Sequence, residues 1–380
     1  MTATDLFQQL EAQYAMQLPF VAYKKPQEKN VNVIFQDDPQ LHEVNTFNES
    51  GFIFAPFEKG KKRVLIPGKP LEAIFNSDDN FSADFTEKTT DFKLDLAILE
   101  EEKQKHIALV IKAIAEIKSS ALQKVVLSRK QITDNSKDPL LLFKALVIAY
   151  PDAFTYIFYH PRIGLWLGAT PETLLSVNGL RFKTMALAGT QTFHENQEIF
   201  WGNKEIEEQQ LVVNDIIKNL EALHIKKLTV SERETIQAGN VLHLRTVISG
   251  VMQTGNEQLK YIITALHPTP AVCGLPRDTA ASFIRQNESY DREFYTGFLG
   301  ELNLEKENYR SRNRRNTENL AYKSVKKSTD LYVNLRCMQY VEKQVHIYVG
   351  GGITRDSVPE KEWEETVAKA QTMLRVLSKS

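Results

Sequence analysis

The sequence lacks the features of a disulfide-linked, zinc-binding or membrane-spanning protein. Only Cys273 and Cys337 occur in 380 residues, and they form no CxxC pair, so neither a disulfide framework nor a zinc site is expected. No uninterrupted apolar stretch approaches the roughly 20 residues that cross a bilayer. The N-terminus, MTATDLFQQLEAQYAMQL, is acidic and amphipathic and has no signal-peptide pattern. We therefore expect a cytoplasmic, soluble protein without a membrane partner.

An excess of charge of one sign is also missing. The chain has 47 basic and 48 acidic residues and a formal net charge of -1, which excludes an overall electrostatic footprint for nucleic acid. One segment, residues 305–327, is strongly basic and nearly free of apolar residues. Its composition favours a mobile surface loop, and a nucleic-acid- or phosphate-binding hairpin is the alternative. We expect a monomer with no nucleic-acid partner.

Groups of strand-like segments alternate with long amphipathic helices. Helices are predicted over residues 98–120, 203–223 and from Pro359 to about Leu377. Strand-like stretches are 31–36, 51–57, 62–67, 124–130, 154–161, 243–251, 331–341 and 344–351. This order predicts an α+β fold with antiparallel sheets covered by helices. No βαβ alternation or glycine-rich phosphate loop is visible, which disfavours a Rossmann or P-loop domain.

An acid and a base occur where the local pattern does not require them. Glu172 lies between two strand-like segments, residues 165–167 and 173–177. The simplest interpretation is an exposed hairpin carboxylate, but in a cavity its pKa would rise and it could act as a general acid. Lys124 opens the strand KVVLS, where lysine is usually solvated; if buried, it could act as a general base.

Further acids lie on two helices. Glu208 lies beside the apolar stripe of the helix start KEIEEQQLVV, 204–213, where compensation of the helix dipole is an equally good explanation. Near the C-terminus, Glu362, Glu365 and Lys369 share one helix face. Two carboxylates one turn apart fit a hard cation such as Mg²⁺, and they also fit a solvated face with salt bridges.

Two features near residue 340 suggest contact with a ligand. Arg336 lies within the apolar stretch LYVNLRC, and a buried arginine generally holds a carboxylate or a phosphate. The glycines 350–352 end a strand, where bare backbone can approach a ligand closely. A plain hairpin would also explain these glycines.

Together these segments resemble the chorismate-utilising enzyme family, from about Ala121 to the C-terminus. The chain is most similar to the isochorismate synthases of menaquinone and siderophore pathways. The motifs occur in family order: KVVLSR (124–129), GATPETLL (168–175), ALAGT (186–190), LHPTPAVCGLPR (266–277), YDREFYTGFLGELN (290–303), VNLRC (333–337), GGGI (350–353) and EWEET (362–366). The resemblance implies two facing antiparallel sheets with helices outside. Residues 1–100 would be the N-terminal part of this fold, and residues 101–380 its catalytic region.

The resemblance also implies roles for individual residues. Lys124 would activate water for attack on C2 of chorismate, and Glu172 would protonate the departing C4 hydroxyl. Glu208 and Glu365 would hold Mg²⁺, with Glu362 bound through water. The remaining implied residues line the substrate site: Arg336, Lys369 and the backbone near Gly352 at the enolpyruvyl carboxylate, and His267, Gly189, Thr190 and Ala271 near the ring.

The family divides by nucleophile, and here the residues favour water. Aminodeoxychorismate synthases carry a lysine in PIKGT where this chain has Ala188, and anthranilate synthases lack the lysine that Lys124 matches. Isochorismate synthase and salicylate synthase, which also eliminates pyruvate, both remain, and the stretch TPAVCG favours the former. Gln209 stands where the family often has histidine, and the segment 305–327 is longer than expected. A ligand- or nucleic-acid-binding protein that uses this segment is the alternative from outside the enzymes.

Overall fold

The computed structural model describes residues 2–75, 96–135, 137–193, 199–238, 241–253, 257–308 and 324–378. Within these ranges lie seven helices, which are α1 (Ala3–Ala15), α2 (Leu96–Ser119), α3 (Pro139–Ala149), α4 (Asn203–Ala222), α5 (Gln258–Leu266), α6 (Arg277–Asn287) and α7 (Pro359–Ser378). None of the helices in the described ranges is long and apolar enough to cross a bilayer. The expected cytoplasmic location and monomeric state stay predictions.

The same ranges contain nineteen strands. In chain order they are β1 (Phe20–Lys24), β2 (Asn30–Phe35), β3 (His42–Glu43), β4 (Gly51–Ala55), β5 (Val64–Pro67), β6 (Leu71–Ile74), β7 (Lys124–Asp134), β8 (Phe154–His160), β9 (Gly164–Thr170), β10 (Thr173–Asn178), β11 (Arg181–Thr192), β12 (Lys226–Val230), β13 (Glu234–Ala238), β14 (Val241–Val251), β15 (Gly274–Leu275), β16 (Phe298–Asn308), β17 (Ser324–Val333), β18 (Cys337–Val341) and β19 (Gln344–Ile353).

These strands form two antiparallel sheets. The order in the first sheet is β15-β7-β19-β18-β9-β8-β1-β2-β6, and in the second it is β12-β14-β11-β10-β17-β16-β4-β5-β3, with β13 also paired to β14. Strands β1, β2 and β6 belong to the first sheet and β3, β4 and β5 to the second, so the N-terminal residues contribute to both. The division of the chain at residue 100 stays a prediction.

Aromatic side chains fill the space between the sheets, and helices cover the outer faces. Trp166, Tyr156 and Phe54 are fully buried between the sheets. Helices α1, α3 and α7 pack on the first sheet and α4 and α5 on the second, each through an apolar stripe. The predicted α+β fold, with two facing antiparallel sheets and helices outside, is confirmed.

Two connections differ from the sequence-based expectation. Residues 331–341 were expected to be one strand, but β17 ends at Val333 in the second sheet and β18 starts at Cys337 in the first. The segments on either side of Glu172 were expected to form a hairpin, but β9 and β10 also lie in different sheets. Both connections therefore cross from one sheet to the other, because each strand pairs with a partner distant in sequence.

The basic segment 305–327 lies mostly outside the described residues. Only its ends are described, where Glu305 pairs with Lys327 in the β16–β17 ladder. The interpretation of this segment as a surface loop stays a prediction.

Candidate active site

A cavity lies where the two sheet-crossing connections meet β11, β14, β19, α4 and α7. We call it the catalytic cavity. The residues that line it are Val126, Pro171, Glu172, Leu187, Ala188, Gly189, Thr190, Glu208, His243, Ala271, Val272, Tyr295, Thr296, Leu335, Arg336, Tyr348, Val349, Gly350, Gly352, Glu365 and Lys369.

The two crossing connections hold each other in place and present Glu172 and Arg336 to the cavity. The Thr170 hydroxyl donates to the carbonyl of Val333 at 2.6 Å, and the Val333 amide donates to the carbonyl of Glu172 at 2.9 Å. The Ala169 amide donates to the carbonyl of Arg336 at 3.0 Å. Because both backbones are fixed by these bonds, the acid and the guanidinium are positioned at the same edge of the two sheets.

Glu172 is buried, and burial raises its pKa from 4.5 to about 8. The positive charges of Lys124, Lys369 and Arg336 oppose this shift but do not cancel it. A carboxyl group that is neutral at pH 7 can donate a proton to a leaving oxygen. The expected exposed-hairpin state is therefore excluded for Glu172.

Lys124 lies behind the cavity wall, at the start of β7. Its side chain is fully buried, and its Nζ is 2.9 Å from Oε1 of Glu208. Burial alone would raise the pKa of Glu208, but the lysine charges, Lys124 first among them, outweigh burial and hold this pKa below its usual range. A Cβ at Gly352 would collide with Glu208 and lie 3.1 Å from Cε of Lys124. Only glycine therefore lets these two side chains approach the backbone of β19 this closely.

The acids of α7 converge on the same glycine strand. Lys204 on α4 binds Oε1 of Glu362 at 2.6 Å, and Lys369 binds Oε1 of Glu365 at 2.5 Å. A Cβ at Gly351 would lie 3.5 Å from the carboxylate of Glu365 and 3.6 Å from that of Glu362. Burial and then the neighbouring Glu365 raise the pKa of Glu362, although Lys204 opposes the shift. These acids thus form a crowded anionic cluster together with Glu208.

The oxygen atoms of this cluster show whether it suits Mg²⁺. Among the described residues, no three acidic, histidine or cysteine side chains form a complete metal site. Mg²⁺ usually needs only one or two protein carboxylates and keeps several waters. The buried Oε2 of Glu362 has no hydrogen-bond partner, and a buried anionic oxygen without a partner is costly. The residues therefore fit a hard, partly hydrated cation.

Lys369 and Arg336 are the basic side chains that line the catalytic cavity together with the acids. Lys369 also donates to the carbonyl of Gly350 at 2.9 Å. Arg336 has a left-handed φ of 47°, and its Nη2 lies 3.4 Å from Nε2 of His243. Two cations that are fixed in this way can bind a substrate carboxylate.

His243 on β14 belongs to the site, although the sequence pattern did not predict it. Its Nδ1 is 3.0 Å from the carbonyl of Gly189, which can only accept, so Nδ1 carries the proton and Nε2 accepts from Arg336. Burial, followed by the charges of Arg336 and Lys369, lowers the pKa of His243 to about 3. The ring is neutral at physiological pH and orients the guanidinium. The sequence feature that could have indicated His243 is its position near the start of an apolar strand.

Two tyrosines that the sequence pattern also missed form an aromatic wall. Tyr295 and Tyr348 stack with ring centroids 5.4 Å apart, and Trp166 stacks on Tyr348 at 5.3 Å. Both tyrosines line the cavity. A flat wall of this kind suits an unsaturated ring.

Comparison with known proteins agrees with this geometry. A family model described as chorismate binding enzyme matches residues 69–308, and a second model with this description matches residues 319–375. The chain belongs to the chorismate-binding enzymes. This confirms the family resemblance inferred from the motifs.

The curated relatives of this chorismate-binding enzyme share less than a third of its residues in the matched regions. It is 28% identical over 265 residues to the vibriobactin-specific isochorismate synthase of Vibrio cholerae, a match that covers 67% of this chain and 62% of the relative. It is 28% identical over 289 residues to the isochorismate synthase MenF of Pasteurella multocida, covering 71% and 61%. The match thus spans about three-fifths of the length of these relatives. Its fold matches DhbC from Bacillus anthracis with a TM-score of 0.75 and 22% identity, covering 99% and 100% of the two chains.

Most residues that the sequence suggested for the site of this chorismate-binding enzyme come together. Those that line the catalytic cavity are Glu172, Glu208, Glu365, Arg336, Lys369, Gly352, Gly189, Thr190 and Ala271. Lys124 lies directly behind Gly352, and Glu362 lines a neighbouring cavity with Lys204. Their roles stay predictions.

Among the described residues, His267 lies outside the lining of the catalytic cavity. Its Nε2 lies 3.1 Å from the carbonyl of Pro56, and its ring packs edge-on against Phe298 at 4.9 Å. These contacts hold its side chain outside the lining of the catalytic cavity, and its position next to the ring stays a prediction.

Proposed function

We propose that this protein is an isochorismate synthase that converts chorismate to isochorismate with Mg²⁺. The observation that carries the proposal is Glu172, a buried carboxyl with a pKa of about 8, in a cavity backed by the buried Lys124. Relatives described as isochorismate synthases support it, although each match covers only part of the relative.

The reaction is an allylic substitution that begins with water. As the water oxygen bonds to C2, Lys124 acts as the general base and accepts a proton from it. The ring double bonds shift, the bond between C4 and its hydroxyl breaks, and Glu172 protonates the departing oxygen. One water enters and one leaves, so substrate and product have the same composition. We propose that the reaction is also reversible.

The charged groups would bind the two carboxylates of the substrate at different places. Arg336 and Lys369, with backbone near Gly352, would bind the enolpyruvyl carboxylate. The ring carboxylate would face the anionic cluster, where Glu208 and Glu365 would hold Mg²⁺ and Glu362 would contact it through water. The ion would offset the charge between the ring carboxylate and these acids.

Product identification tests this proposal. The protein is incubated with chorismate and Mg²⁺, or with chorismate and EDTA. The products are separated by chromatography, and their masses are measured by mass spectrometry. An isobaric product that forms only with Mg²⁺ is expected. Salicylate with pyruvate would reassign the protein to salicylate synthase, and no product from folded protein would overturn the proposal.

A further inference from the structure

A second cavity adjoins the catalytic cavity, and we call it the side cavity. Its walls come from the loop between α3 and β8, from β13 and β14, and from both sheet-crossing connections. Pro171 and Arg336 line both cavities. The two spaces therefore meet at this proline and this guanidinium.

A third cavity adjoins the catalytic cavity at a different place, where Thr190 and Glu365 line both. We call it the acidic cavity. Its charged lining is four acids and two bases: Glu205, Glu362, Glu364, Glu365, Lys204 and Lys361. A dicarboxylate is repelled by such a surface, whereas a divalent cation is attracted to it.

The side cavity has the opposite balance. Arg245 and Arg336 line it, with Asp152 as the acid of its lining. Arg245 is ion-paired to Glu234 at 2.8 Å, and both side chains are partly exposed. Solvent screens such a pair, so Arg245 can still exchange its partner for an incoming anion.

Arg336 is suited to receive an anion from the side cavity. Its backbone is fixed by the bond from Ala169 to its carbonyl, at 3.0 Å. Among the described residues, the hydrogen-bond contact of its guanidinium is the long one to neutral His243, at 3.4 Å. The guanidinium therefore has no strong ion pair to break when a carboxylate arrives from either cavity.

We propose that the side cavity is the route by which the dicarboxylate substrate reaches the catalytic cavity, with Arg336 receiving a carboxylate at the junction. The acidic cavity is the route of the divalent cation. This inference rests on the proposed function, since it takes chorismate as the substrate.

Chemical labelling of a cysteine introduced into the side cavity tests whether the substrate passes through it. Cys273 and Cys337 are both fully buried, so a cysteine introduced at a cavity wall is selectively labelled by methanethiosulfonates. In the Ile236→Cys variant, on the wall of the side cavity, labels of increasing size should lower kcat/KM for chorismate by about tenfold or more, because a substrate that must pass a bulky group associates more slowly. Reduction should restore the rate. Ala153→Cys repeats the test at a second lining residue, on the loop between α3 and β8.

Two further variants serve as controls. Val230→Cys lies on the exposed edge strand β12, outside the three cavities, and its labelling should leave kcat/KM unchanged. Labelling Lys361→Cys in the acidic cavity should slow the association of Mg²⁺ after rapid mixing without changing kcat/KM at saturating Mg²⁺. Unchanged kcat/KM with the largest labels at residues 236 and 153, or a loss caused by the label at residue 361, would overturn the inference alone. Absence of turnover in the unlabelled protein would overturn the proposed function with it.

Discussion

Glu172→Gln is expected to abolish turnover and at the same time to stabilise the protein. The substitution keeps the shape of the side chain but removes the proton that the carboxyl would donate. Burial raises the pKa of Glu172 from 4.5 to about 8, so between these values the folded state holds a proton that the unfolded state has lost. Stability of the wild-type protein therefore falls as pH rises through this window, and the cost is full above the folded pKa.

The size of this cost follows from the shift. At 1.36 kcal/mol per pKa unit, the shift from 4.5 costs about 3 kcal/mol at pH 7 and about 5 kcal/mol at pH 9. The variant should regain these amounts. In a chain of 380 residues, about 3 kcal/mol corresponds to a rise in Tm of roughly 4 °C.

Thermal unfolding between pH 5 and pH 9 measures the effect, with the exposed Glu221→Gln on α4 as the matched control. The difference in Tm between Glu172→Gln and the wild type should widen with pH up to about 8 and then level off, as the wild-type carboxyl completes its titration. Wild-type turnover should fall above the same pH. A variant that turns over normally, or a Tm difference that does not change with pH, would refute the assignment of Glu172 as a buried acid.

Three further predictions concern the groups around the glycine strand. Gly352→Ala should reduce turnover and Mg²⁺ affinity, because its Cβ collides with Glu208, whereas Gly351→Ala has only ordinary contacts and should keep most of both; equal effects in kinetics and calorimetry would contradict this. Glu365→Ala should abolish Mg²⁺-dependent substrate binding, and an unchanged Mg²⁺ titration would remove it from the metal site. Lys124→Ala should abolish turnover and lower the free energy of unfolding by about 3 to 5 kcal/mol, because it leaves Glu208 without its partner; a urea transition identical to the wild type would contradict that.

The secondary structure was predictable where a periodic pattern is long. The helix predicted over 203–223 is α4, Asn203–Ala222, and the strand predicted at 124–130 is the start of β7. The two sheet-crossing connections were not predictable, because an apolar run shows that a strand is buried but not which sheet it joins. Arg336 was therefore placed within a strand, although it lies between β17 and β18.

Site residues were predictable when a local pattern set them apart. Glu362 and Glu365 share a helix face, and Glu172 interrupts two apolar segments. His243 was missed because its role depends on Gly189 of β11 and on Arg336, which reach it only through the fold. The contact of His267 with Pro56 was not predictable for the same reason, since it joins distant parts of the chain.

The most direct test of the account is the source of the product hydroxyl. Chorismate is converted in water enriched in heavy oxygen. The mass of the product is measured by mass spectrometry at early times, before the reverse reaction redistributes the label. If Lys124 activates water for attack at C2, each product molecule carries one heavy oxygen in place of an ordinary one, and its mass rises by the difference between the two isotopes. A product of unchanged mass would show that the hydroxyl moves without solvent water, and would contradict the base and acid roles of Lys124 and Glu172.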